Sequence, residues 1–129
     1  MNENEISKVV LDECFAIHQE LGPGLLETVY EVVLARALEG RGLCVQRQAP
    51  VAIEFRGLRF DEGFRADLIV EGKVLIELKS VEGLKPVHGK QVLTYLRLTR
   101  MKLGLLINFG EVMLKNGIKR VANGLWEFR

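Results

Sequence analysis

Cysteine, proline and long apolar runs are all scarce in this chain, and each scarcity excludes something. Two cysteines in 129 residues, Cys14 and Cys44, make no disulfide framework and show no metal-ligand spacing. That fits a reduced, intracellular setting. No apolar run approaches the ~20 residues needed to span a bilayer, and the polar, acidic opening MNENEISK does not read as a signal peptide. The expected location is the cytoplasm, with no membrane partner. There are three prolines and no repeat, low-complexity tract or linker. A single domain over residues 1–129 is therefore expected, long enough for one proper core without staples.

Net charge is nearly absent as well, formally +1, and argues neither for nor against nucleic acid. Its distribution says more. Residues 1–84 carry 9 Lys and Arg against 15 Asp and Glu, whereas residues 85–129 carry 9 against 2. A basic final third opposite an acidic remainder is suited to holding a polyanion near a carboxylate site, although two solvated faces would give the same counts. What is present is an ordinary globular composition, 48% hydrophobic and 27% charged.

Periodicity supplies the elements. Ile6, Val9, Val10, Cys14, Ile17 and Leu21 recur at helical spacing, predicting an amphipathic helix over Glu5–Leu21 that ends at Gly22-Pro23-Gly24. A second helix is expected from about Leu25 to Glu39, closed by Gly40-Arg41-Gly42. Cys44–Phe55 alternates as a strand or two around Pro50, followed by a polar connection over Gly57–Gly63. Val87 to about Arg100 is helical, Leu103–Phe109 is a strand buried on both faces, and Val112–Val121 is a strand or hairpin turning at Asn116-Gly117. Helices layered on a mixed sheet follow, with Val87–Arg100 as the crossover between parallel strands.

Between these lies FRADLIVEGKVLIELKSV, residues 64–81, two apolar strands interrupted by Asp67, Glu77 and Lys79. Unpaired charges resist burial, so these groups need a partner. Alternation puts Glu77 and Lys79 on one face. Asp67 joins them only if the loop has three residues, either Val70–Gly72 or Glu71–Lys73; a two-residue loop at Glu71-Gly72 pairs it with Ile76 on the other face. Two carboxylates and the Leu78 carbonyl would then converge as the hard ligands that magnesium or manganese prefers. Lys79 beside them would position water and stabilise charge on a phosphate. A plain cross-strand charge pair is the simpler alternative for an isolated Glu-x-Lys.

These residues resemble a family. Asp67 followed by Glu77-Leu78-Lys79 is similar to the D-x(n)-(D/E)-x-K signature of the PD-(D/E)xK nuclease superfamily, with RAD in place of the proline step. GLLETVY, with Gly24, Glu27 and Tyr30, resembles the motif that names the GxxExxY family, a single-domain branch; PVHGKQVLTYL and GLLINFG are similar to it too. The resemblance implies an α/β fold with a restriction-endonuclease-like α-β-β-β-α-β core. It further implies that Asp67 and Glu77 bind Mg2+ or Mn2+, that Lys79 assists the water, and that Glu27 adds a metal-binding carboxylate from the preceding helix. A glutamate there also suits the helix dipole. Gln91 and Tyr95, four apart, resemble the Q-x-x-x-Y element of RecB-type nuclease domains, although a core tyrosine beside a surface glutamine looks the same. His18 reads as a satisfied helix-terminal histidine and His88 carries still less weight.

The expected function is hydrolysis of DNA, rather than RNA, by metal-activated water. The alternative is a catalytically silent nucleic-acid-binding or protein-interaction module of the same fold. Without a separate recognition domain, specificity is expected from loops, a homo-oligomer or a protein partner.

Overall fold

The computed structural model describes residues 1–124; the closing LWEFR segment lies outside them. Helix α1 spans Glu3–Leu21 and starts on a reciprocal cap, in which the Asn2 side chain accepts from the Glu5 N–H at 2.8 Å and Glu5 Oε1 accepts from the Asn2 N–H at 3.0 Å. Helix α2 follows at Glu27–Gly40. Strands β1 (Val45–Phe55), β2 (Leu58–Val70) and β3 (Val74–Lys79) precede α3 (Pro86–Thr99), and β4 (Leu103–Asn108) and β5 (Ile118–Ala122) complete the fold.

The five strands lie in the order β1-β2-β3-β4-β5, antiparallel except for the β3–β4 pair. The α3 crossover between parallel strands is as expected, and so is the run buried on both faces, now β4. This is the α-β-β-β-α-β core within a helix-flanked mixed sheet. Ile6, Val10, Cys14, Tyr30, Leu34 and Leu38 of α1 and α2 pack on Leu68, Ile76, Leu78 and Leu105. Val92 and Leu96 of α3 cover Ala66, Ile69, Leu75 and Leu106 on the other face. No helix among the described residues is long and apolar enough to cross a membrane.

Two expectations need correction. Gly57–Gly63 is not a connection but the returning half of a long hairpin whose two-residue turn is Arg56-Gly57, between the paired Phe55 and Leu58. Residues 54–63 are exposed, so no buried face imposes an alternating pattern there. Pro50 fits within the single strand β1 because β1 is a sheet edge, where a missing donor is tolerated. Asn116-Gly117 closes a short 3-10 helix, Leu114–Gly117, rather than a hairpin. A Cβ on Gly117 would meet the Asn108 carbonyl at 2.6 Å, so that glycine serves close packing.

Candidate active site

The loop between β2 and β3 decides the site. Val70 pairs with Val74, leaving the three residues Glu71–Lys73, with Glu71 (φ 55) and Gly72 (φ 64) left-handed. Of the two odd-length loops, this is the one that sets Asp67 opposite Glu77. The ladder itself ends at Leu68↔Ile76. Beyond that point side chains take over from main chain: the Leu78 N–H donates to Asp67 Oδ2 at 2.8 Å, and the Asp67 N–H donates to Glu77 Oε1 at 3.3 Å. The strands thus part around two carboxylates that occupy the gap. A strand residue's N–H and C=O leave on the same edge, so the Leu78 carbonyl faces the gap as well.

Burial and then the adjacent Asp67 charge push the Glu77 carboxyl up to about 8, offset only in part by the hydrogen bond from the Asp67 N–H and by the Lys79 ammonium. Two carboxylates therefore share one partly buried place with one cation beside them. Tyr95 faces the same place. Its hydroxyl is pushed up by burial and then by the Glu77 and Asp67 charges, and the Gln91 side chain hydrogen-bonds to it. The Tyr95 ring lies flat on Phe64, with centroids 3.8 Å apart and planes 3° from parallel. The structure therefore brings Asp67, Glu77, Lys79, Gln91 and Tyr95 together.

Two further residues, Gln48 of β1 and Glu31 of α2, extend the network from Asp67. The Gln48 side-chain amide donates to Glu31 Oε1 at 2.6 Å and is 3.4 Å from Asp67 Oδ1. Glu31 is 5% exposed and also accepts from Arg47 at 2.9 Å. Gln48 itself is left-handed (φ 49) in mid-strand, a conformation that costs ~1–3 kcal/mol and gathers at functional sites. Neither residue belongs to the sequence motifs. Glu31 carried a signal, as the one charge in the buried helical stripe Tyr30, Glu31, Leu34, Ala35, Leu38.

Glu27 stands apart from this network. It is exposed in the first turn of α2, and among the described residues no hydrogen bond or ion pair joins it to Asp67 or Glu77. Its motif partner Tyr30 is fully buried, stacked on Phe109 with centroids 4.3 Å apart. The Tyr30 hydroxyl donates to the Gly22 carbonyl at 2.6 Å and accepts from the Leu25 N–H at 3.2 Å. Tyr30 thus pins the loop that precedes Glu27, in which Gly24 (φ 97) supplies the turn. The Leu25 carbonyl accepts from Ser80 Oγ at 2.5 Å, which ties that loop to the residue after Lys79. His18 Nε2 donates to the Glu111 carbonyl at 2.8 Å, and His88 Nδ1 accepts from the Lys85 N–H at 3.0 Å; both are structural partners.

Among the described residues no group of three or more His, Cys, Asp or Glu is arranged to hold a metal. The donor set is two carboxylates and a carbonyl, which suits a small hard cation that keeps several waters. Burial, and then the Asp67 charge beside it, raise the Glu77 carboxyl; a cation between the two carboxylates would offset both effects, so the residues fit a divalent ion.

A model of the PD-(D/E)XK nuclease superfamily matches residues 4–121. The chain belongs to this superfamily. No match to a curated protein or to a solved structure is found. Within the PD-(D/E)XK nuclease superfamily match fall the parted strands, the α3 crossover and every residue of the carboxylate network.

Proposed function

We propose that this chain is a divalent-metal-dependent nuclease of the GxxExxY branch that hydrolyses DNA phosphodiester bonds. The observation that carries the reading is the Asp67–Glu77 pair across the parted ends of β2 and β3, with Lys79 beside it. Asp67, Glu77 and the Leu78 carbonyl would hold Mg2+ or Mn2+. The ion would supply Lewis acidity towards water and charge towards phosphate. Everything else is done by the chain. Leu78 and Gln48 fix the two Asp67 oxygens, so the carboxylate need not reorganise when it binds. Lys79 aims an ammonium at charge that grows on the phosphate in the transition state, an effect worth about 10²–10³ in rate. Tyr95, held flat by Phe64 and hydrogen-bonded to Gln91, closes the α3 side and orients the strand to be cut. Glu27 belongs to this proposal as an outlying carboxylate that substrate or metal would draw in.

Purified protein incubated with labelled DNA and RNA, with Mg2+, with Mn2+ and with EDTA, tests the reading. Cleavage of DNA only with a divalent ion is expected. Metal binding without cleavage of either polymer under any condition favours the silent binding module.

A further inference from the structure

Away from the carboxylates, the β1–β2 arm and the end of α3 enclose a cleft of about 530 Å3. Arg56, Arg59, Arg97 and Arg100 line it, and Glu54 is the one carboxylate among its lining residues. Arg59 is ion-paired to Asp61 at 3.4 Å. Arg56, Arg97 and Arg100 have no carboxylate partner among the described residues. Four guanidinium groups lining one cleft with a single carboxylate repel one another, and the group that relieves this best is a phosphate, which accepts their paired donors.

Backbone conformation gives a second, independent sign. Arg56 (φ 51) and Gly57 (φ 79) form the turn between Phe55 and Leu58. Both angles are positive, a geometry that favours Asn-Gly. Arg100 (φ 60) is the left-handed cap of α3, a position usually filled by glycine or asparagine. The chain has four left-handed non-glycine residues among those described, and two of them are arginines that line one cleft. Folding alone would favour other residues at both positions.

Aromatic surface adjoins the charge. The Arg56 guanidinium sits 5.0 Å above the Phe55 ring, and Phe55 and Phe60 on the arm are both more than half exposed. Arginines interleaved with open aromatic faces are the elements of a surface that tracks a nucleic-acid backbone. One helix serves both places: Tyr95 faces the carboxylates, and Arg97 and Arg100 reach the cleft. Along β2, Arg59 lies eight residues from Asp67, about 27 Å at about 3.4 Å per residue.

We infer that the arginine cleft binds the phosphodiester backbone of nucleic acid several nucleotides from the scissile bond. The inference rests on the nuclease reading for its substrate class but not for its test. Arg56→Asn and Arg100→Gly put at each position a residue its backbone prefers, so the double variant should keep or raise the melting temperature. Its affinity for fluorescein-labelled DNA, single-stranded or duplex, read by anisotropy in EDTA, should fall on the order of tenfold or more. The salt slope should shrink by about 0.7–0.9 for each phosphate no longer neutralised. Wild-type affinity and slope in the folded double variant would overturn the assignment, and so would a wild-type protein that binds no DNA in EDTA. Cleavage is scored separately: wild-type cutting with unchanged binding by the double variant removes the cleft and keeps the nuclease. Arginine-dependent binding without cutting keeps the cleft and removes the nuclease.

Discussion

Asp67 and Glu77 face each other where the β2–β3 ladder has ended, and the Asp67 N–H donates to Glu77 Oε1 at 3.3 Å. Each carboxylate thus accepts from backbone that the sheet leaves unpaired. Removing either charge changes what the gap can hold while leaving the strands in place.

Asp67→Asn keeps the shape and can still accept from Leu78, but it exchanges an anionic oxygen for a neutral amide. Calorimetric titration with Mg2+ or Mn2+ should show weakened binding. Lys79→Ala should bind the ion nearly as the wild type does and yet cleave about 10²–10³ more slowly, because only charge stabilisation in the transition state is lost.

Glu77 makes stability and metal binding depend on pH. Its folded carboxyl is raised from 4.5 to about 8, so the folded state holds a proton that the unfolded chain releases. The stabilising effect of that proton is complete below about 4.5 and is lost as pH rises towards 8. In metal-free protein, Glu77→Gln should flatten this decline and raise the melting temperature at pH 8. Binding of Mn2+ at pH 7 should release up to one proton from the wild type, seen as a buffer-dependent heat, and none from Glu77→Gln.

How much of this was legible depended on whether one face was buried. Ile6, Val10, Cys14 and Ile17 announced α1, and the apolar LGLLIN announced β4, because each meets a core on a regular period. Asp67, Glu77 and Lys79 were legible from alternation once a three-residue loop was allowed. The β1–β2 arm was not, since residues 54–63 bury neither face and Arg56-Gly57 lacks the usual Asn-Gly signature. Gln48 was hidden for a different reason: its left-handed backbone interrupts the strand, and its partners Glu31 and Asp67 are distant in sequence.

Tyr30 is the clearest test of what the G-x-x-E-x-x-Y pattern does for the fold. Tyr30→Phe retains the stack on Phe109 but removes the bonds to the Gly22 carbonyl and the Leu25 N–H. A loss of about 1–3 kcal/mol is expected, measurable by urea denaturation. An unchanged midpoint would show that the loop before Glu27 is held by other interactions.

Tyr95→Phe separates orientation from packing. The ring stays on Phe64, so the melting temperature should hardly move, while the hydroxyl that faces Asp67 and Glu77 and bonds to Gln91 is gone. Cleavage should slow, and Gln91→Ala should slow it similarly without adding fully to the first effect, since the two act as one unit.

The most direct measurement is cleavage of labelled DNA by wild type and Asp67→Asn across a Mn2+ titration, under single-turnover conditions. The wild-type rate should rise with the ion and vanish in EDTA, and the Asp67→Asn rate should stay far lower at every concentration. Equal rates for the two proteins, or no wild-type cleavage once the ion is bound, would contradict the account.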